Sequence, residues 1–279
     1  MGRACAQGGY AQPDSLGTTD WEHVGTRWGT SPAVLWAHAC TVAAAPRSWA
    51  TSERARLAGA VGVLAALAVT LDEPAYRHLS PRSGAGDRAW HRVTDPLAGP
   101  GEWYDRQAAN RLALTTVGAL ATSGLVLQQP GLTRTAVRTT EAILYTELAN
   151  GLLKSIVNRA RPYVGPEPDA FSATPGAFDS AHEWLALPSG HTARVVAVAT
   201  VWAHAADRRV VSVPLYFGAA SVGLERIRSG DHWVTDVVVG AALGHLIGRV
   251  VADAPTESSA SVQWGPLLEA GRVGLRLQF

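Results

Sequence analysis

Cysteine is almost absent from this chain of 279 residues: there are two, Cys5 and Cys40. They could pair in an oxidising compartment, but their spacing matches no metal framework. Charge of one sign is lacking as well. With 24 Lys and Arg against 23 Asp and Glu the formal net charge is +1, and no basic stretch exists, so the footprint of a nucleic-acid partner is missing. The apolar runs are about 15 residues each, short of the roughly 20 that a bilayer span asks for, and the mean hydropathy of +0.05 is low for a polytopic membrane protein. The opening "MGRACAQGGYAQ" lacks the apolar core of a signal peptide. Ala4-Cys5-Ala6 nevertheless has the small-x-small form of a cleavage site, which suggests a truncated export signal, with an ordinary tail as the alternative. No internal repeat is evident.

What is present is apolar content of 47%, enough for one large domain or two small ones, and ten tryptophans suited to interfacial, ligand-facing or buried use. Residues 1 to 30, rich in glycine and polar turn formers, read as a flexible arm. Helices are expected over Leu57 to Leu71, closed by Asp72, Glu73 and Pro74, and over Leu112 to Leu127, Leu132 to Arg161, His191 to Ala206, Val210 to Leu224 and His232 to Val251. Between the first two, Ser80 to Gly101 is dense in Gly, Pro and Asp and reads as a long connection; Tyr163 to Leu187 reads as a second. After residue 252, Val273, Leu275, Leu277 and Phe279 alternate with the period of a strand, and "SVQW" could complete a hairpin. The expected fold is all-α: about six helices in a bundle, either shallowly embedded in or pressed against a membrane, with a short C-terminal hairpin or strand. A soluble bundle is the close alternative.

Three clusters carry chemistry. In "KSIVNRARP", Lys154 and Arg161 are seven apart, close to the roughly 7.2 residues of two helical turns, so a continuous helix would aim both at one anion. Arginine adds a planar fork of donors to the point charge of lysine. Pro162 would stop that helix. In "LPSGHTARVV", Pro188 and Ser189 suit a helix start, with the serine oxygen capping a backbone donor. Gly190 costs about 1 kcal/mol relative to alanine in a helix, but it lets an anion approach a helix N-terminus whose free N–H groups favour negative charge. His191 stands beside it. In "ERIRSGDHWVTDVVVGAALGHLIG", His232 and Asp236 are four apart, so the carboxylate could fix the imidazole tautomer, and Asp231 could cap the helix. Gly240, Gly244 and Gly248 extend the same fourfold step as a ridge for close helix packing. Taken singly, each cluster has an ordinary reading as a basic helix end, a capped helix or a surface pair.

Their joint occurrence and order resemble the type 2 phosphatidic acid phosphatase and vanadium haloperoxidase superfamily. Lys154, Arg161 and Pro162, then Pro188 to His191, then Arg226, His232 and Asp236 match its three motifs, over about residues 140 to 250. The resemblance implies a helical phosphatase domain over residues 31 to 252, between the arm and a tail of 253 to 279. It implies that His232 attacks phosphorus to give a phosphohistidine while Asp236 orients it. His191 would protonate the leaving oxygen and then activate water. Lys154, Arg161 and Arg226, with Ser189 and the Gly190 N–H, would hold the phosphoryl oxygens. No metal or other cofactor is implied. In the sequence, Glu141 and Glu147 are too scattered to cage a cation, Asp179, His182 and Glu183 read as solvated loop residues, and His204 and His245 as helix-face histidines.

One position departs from the family: Glu225 stands where a serine usually precedes the arginine, and it should point away or pair with an arginine. The implied substrate is a phosphomonoester or diphosphate, lipid-linked if the protein sits at a membrane with an extracytoplasmic site, or small if a soluble periplasmic form exists. A vanadium-dependent haloperoxidase, with His232 on vanadate, and a non-catalytic anion-binding membrane bundle are the alternatives. The sequence does not speak to oligomeric state.

Overall fold

The computed structural model describes residues 51–84, 87–107, 109–165, 167–172, 182–254, 263–269 and 272–278. The expected arm, Cys5, Cys40, the Ala4-Cys5-Ala6 site and Asp179 lie outside the described residues. The chain divides into two compact units, Arg47–Ala252 and a second made of Met1–Pro46 with Asp253–Phe279. In the second unit, β1 (Gln263–Glu269) and β2 (Arg272–Gln278) pair antiparallel, with Gln263 opposite Gln278 and Glu269 opposite Arg272.

The larger unit is all-α. Its helices are α1 (Thr51–Leu79), α2 (Arg88–Arg106), α3 (Ala109–Val126), α4 (Pro130–Val157), α5 (Gly190–Ala206), α6 (Arg209–Arg228) and α7 (Val234–Asp253). Two single-turn 3-10 segments, Pro81–Ser83 and His182–Trp184, sit in the connections.

Helix α2 corrects the expectation of a long connection over Ser80 to Gly101. Asp87 caps it by accepting from the Ala89 N–H at 2.8 Å, and it runs through Pro96 and Pro100. Each proline removes one backbone hydrogen bond, but α6 supplies compensation. The Gly101 N–H donates to Ser221 Oγ at 2.9 Å, a methyl group at 101 would overlap the Ser221 carbonyl, and Arg228 reaches Asp95 and Glu102 from the other helix. Tertiary bonding therefore overrides a composition that reads as loop.

Helix α1 likewise runs past the expected stop at Asp72 and Pro74, because Asp72 is consumed inside the bundle. Helix α4 ends four residues earlier than expected. Asn158 takes φ 46° and its N–H bonds the Lys154 carbonyl, a left-handed cap that asparagine tolerates better than most residues.

Small residues fill the interior and large apolar ones face outward. Ala142, Ala193 and Ala197 are fully buried, whereas Leu144, Leu148, Leu152 and Ile156, spaced by four along α4, are exposed, Leu148 to 74%. The glycine ridge of α7 lies on the backbone of α5: a methyl group at Gly240 would come 2.6 Å from the Ser189 carbonyl oxygen and one at Gly248 2.8 Å from that of Ala197. A large residue cannot replace glycine at such a crossing. Interiors of small residues wrapped in Leu, Val and Phe suit a lipid surrounding, where close packing does the work that apolar burial does in water. The segments Gly59–Leu79, Arg209–Arg228 and Val234–Asp253 are long and apolar enough to cross a membrane, so the apolar runs of the sequence understate the helices that contain them. The unit is membrane-associated.

Candidate active site

The site forms where the end of α4, the start of α5, the end of α6 and the start of α7 meet. Its frame is a buried ionic network. Arg159, just past α4, donates to Asp236 Oδ1 and to Asp72 Oδ2, both at 2.7 Å, and twice to the Pro168 carbonyl. Its side chain is 4% exposed and both carboxylates are fully enclosed. The carboxylates in turn hold the first turn of α7. Asp72 accepts from the Thr235 N–H at 2.8 Å and its hydroxyl at 2.9 Å, and Asp236 Oδ2 reaches back to the Trp233 N–H at 2.9 Å as in a capping box. The Trp233 indole donates to the Ala160 carbonyl and the Ser189 N–H to the Asp236 carbonyl, so all three motifs are pinned together.

Around this frame stand the expected phosphate-holding groups. Lys154 donates from Nζ to the Leu185 carbonyl at 2.8 Å. Burial, reinforced by Arg161, lowers its pKa to about 8. Arg161 lies beyond the helix, so the two-turn geometry expected of Lys154 and Arg161 is not how they meet. Its N–H bonds the Glu183 carbonyl at 2.8 Å, and it approaches Asp231 at 4.0 Å. Arg226 donates through its two terminal nitrogens to Asp105 and Asp231, while Nε is buried without a partner among the described residues. Asp231 does not cap α7 as expected; it bonds Arg226, Arg82 and Ser229. Glu225 turns to Arg228 at 3.3 Å, as expected of a carboxylate kept away from a phosphate.

The two imidazoles share this environment. Burial drives His232 well below the usual histidine range, aided by Lys154, Arg161 and Arg226 and opposed by a backbone hydrogen bond at Ala186. Burial also pushes His191 down to about 3, with Arg226, His232, Arg194 and Lys154 acting in the same direction. Both rings are therefore neutral in the empty site, and the Ser189 N–H bond to the Asp236 carbonyl ties together the two segments that carry them.

Three details differ from the sequence reading. His232 precedes α7 rather than opening it. Its Nδ1 is 3.6 Å from Asp236 Oδ2, too far for a hydrogen bond, because that carboxylate is occupied by Trp233 and Arg159. Ser189 does not cap α5 through its side chain: Oγ pairs instead with the Thr192 hydroxyl at 3.0 Å. The start of α5 thus has no side-chain cap, as an anion site at a helix N-terminus requires.

Sequence reasoning missed Arg159, Asp72, Asp105, Tyr104 and Arg194. Tyr104 stands edge-on to His191 at 6.1 Å, and Arg194 pairs with Glu147 at 2.7 Å. Arg159 lay in plain view in "NRARP", but only the structure separates a framing arginine from a ligand-facing one. Among the described residues no group of three or more His, Cys, Asp or Glu is placed to hold a metal ion.

Parts of the chain are similar to known proteins. Over 65 residues, 23% of this chain and 15% of the relative, the sequence is 40% identical to a lipid A 1-phosphatase of Porphyromonas gingivalis. The chain thus matches a small part of that protein's length. The fold is also similar to the crystal structure of a transmembrane PAP2 type phosphatidylglycerolphosphate phosphatase from Bacillus subtilis, with 20% identity, a TM-score of 0.48, and coverage of 71% of this chain and 92% of that one. The PAP2 superfamily model matches residues 135–259, which include Lys154, Arg161, Ser189 to His191, Arg226, His232 and Asp236. Over that stretch, a little under half of its length, the chain is similar to the PAP2 superfamily.

Proposed function

We propose that this protein is a metal-independent phosphatase that hydrolyses a lipid-linked phosphomonoester or diphosphate through a phosphohistidine on His232, at an extracytoplasmic membrane face. The observation that carries this reading is that Arg161 and Arg226 both reach Asp231, next to an enclosed His232 whose N–H bonds the Arg226 carbonyl, while Lys154 holds the Leu185 carbonyl and the Ser189 N–H ties the start of the His191 helix to Asp236. A neutral imidazole is the nucleophilic form. Three cations around it can take the charge of the phosphoryl oxygens, where positioning and electrostatics supply most of the rate.

In the first step a ring nitrogen of His232 forms a bond to phosphorus, the bond to the leaving oxygen breaks, and His191 gives that oxygen a proton. In the second, water attacks phosphorus, its proton passes to His191, and the bond to His232 breaks. His191 must carry a proton in the first step although it is neutral when the site is empty. A bound phosphate weakens the positive local field: its negative charge offsets the cations and raises the imidazole pKa. The 3.6 Å gap between His232 and Asp236 is short enough for a small shift to close on binding.

Lipid linkage is supported by an apolar cavity of about 270 Å³ lined by Trp103, Leu112, Ile143, Val198, Trp202 and Leu215. Tyr104 and Arg194 also line it, next to His191, so a chain in the cavity would leave its head group near the imidazole. The lipid A 1-phosphatase is named for a reaction of the same class.

The test is a phosphate-release panel of lipid and water-soluble phosphoesters, run with EDTA on purified wild type and His232→Ala. Lipid phosphates should be preferred, EDTA should have no effect, the variant should be inactive, and orthovanadate should inhibit. Loss of activity with EDTA, or peroxidase activity gained with vanadate, would overturn the proposal.

A further inference from the structure

Asn150 precedes Lys154 by one turn of α4, so the two side chains leave the same face. Its amide nitrogen lies 2.9 Å from the point that a methyl group on Gly190 would occupy. The carboxamide therefore rests against the first residue of α5, next to His191 in the chain. Asn150 is 6% exposed, and its Oδ1 has no hydrogen-bond partner among the described residues. One turn earlier on the same face, the fully buried Thr146 hydroxyl is also unpartnered among them.

A buried acceptor without a donor costs about 1–3 kcal/mol. An occupant that donates would recover this, and the chemistry narrows what it can be. Ionised phosphoryl oxygens are acceptors and cannot satisfy Oδ1, whereas a water molecule can.

We propose that Asn150 Oδ1 orients the water that hydrolyses the phosphohistidine, an assignment that rests on the two-step reading above. One hydrogen of that water is held by Asn150 and the other proton passes to His191. The water oxygen forms the new bond to phosphorus, the phosphorus–nitrogen bond breaks, and its electron pair returns to the His232 ring. Asn150 gains and loses no proton, so it is a positioning residue for the second half-reaction alone.

That division gives a signature a packing role would not produce. kcat/KM reports steps up to the phosphoenzyme, while kcat reports the slower later step. The test uses full-length protein and a chromogenic aryl phosphomonoester, whose alcohol is released in the first step. Asn150→Leu, which keeps the branched heavy-atom skeleton but has no acceptor, should lower kcat about 10- to 100-fold. It should leave kcat/KM within about threefold of wild type, show a burst of aryl alcohol and keep the melting temperature. Asn150→Asp, which retains an acceptor, should recover part of kcat and raise KM by repelling phosphate. An Asn150→Leu enzyme with unchanged kcat, or with kcat and kcat/KM lowered equally, overturns the water assignment while the phosphatase reading stands. A wild type that releases no phosphate overturns that reading instead.

Discussion

Removing Arg159 tests the frame on which the site is built. Its guanidinium bonds Asp236 and Asp72 at 2.7 Å each with no exposure on the acidic side chains. Arg159→Ala would leave two enclosed carboxylates facing each other without a cation. Breaking a buried pair by deleting one partner costs about 3–5 kcal/mol, because the remaining charge cannot return to water. That equals roughly 150- to 5,000-fold in the folding equilibrium, or a fall in melting temperature of about 6–20 °C for a unit of this size. Asp72→Asn should be milder, since an amide oxygen can still accept from the Thr235 N–H. Loss of its charge-assisted bond should cost about 1.5–3 kcal/mol. Thermal unfolding of detergent-purified protein, followed by tryptophan fluorescence, reads both. A melting curve for Arg159→Ala within about 1 kcal/mol of wild type would refute the claim that this network holds α7 in place.

The remaining predictions concern charge and packing. Lys154 loses its proton above about pH 8, so orthovanadate affinity should fall as pH rises through that value, by up to about tenfold per unit. Lys154→Arg should move the decline to higher pH; an unchanged profile would remove Lys154 from the site. His191 is neutral when the site is empty, so anion binding should be accompanied by proton uptake. Calorimetry in buffers of different ionisation enthalpy measures this, and a count of zero below neutral pH would contradict the assigned acid role. Gly244→Val should destabilise by about 1–3 kcal/mol, because its side chain would overlap the Ala193 backbone. Gly59→Ala, with open space around it, should be neutral or slightly stabilising. Equal melting temperatures for the two would refute the close crossing of α5 and α7.

The motif spacings singled out His191, His232, Lys154, Arg161 and Arg226 from the sequence, and hydrogen bonds of the fold tie the three segments that carry them to one another. The fourfold glycine step of α7 likewise announced its close contact with α5. What could not be read was which polar residues are consumed by the fold. Asp72 closes an apolar run and looks like a helix stop, but it is an internal ligand of Arg159 and Thr235. Pro96 and Pro100 argue against a helix locally, and only the contacts of α2 with α6 make one. Asn158 ends α4 before Arg161 through a backbone conformation that no periodicity reports. In each case a long-range partner or a special backbone geometry decides the outcome, and local pattern does not contain it.

Whether phosphate becomes covalently attached to His232 is the most direct question. Wild-type protein mixed with an aryl phosphomonoester, quenched in alkali and digested, should yield one phosphorylated peptide. Mass spectrometry should place the acid-labile, alkali-stable group on His232, and His232→Ala should yield none. Phosphate released at full rate without any such adduct, or an adduct on another residue, would contradict the mechanism.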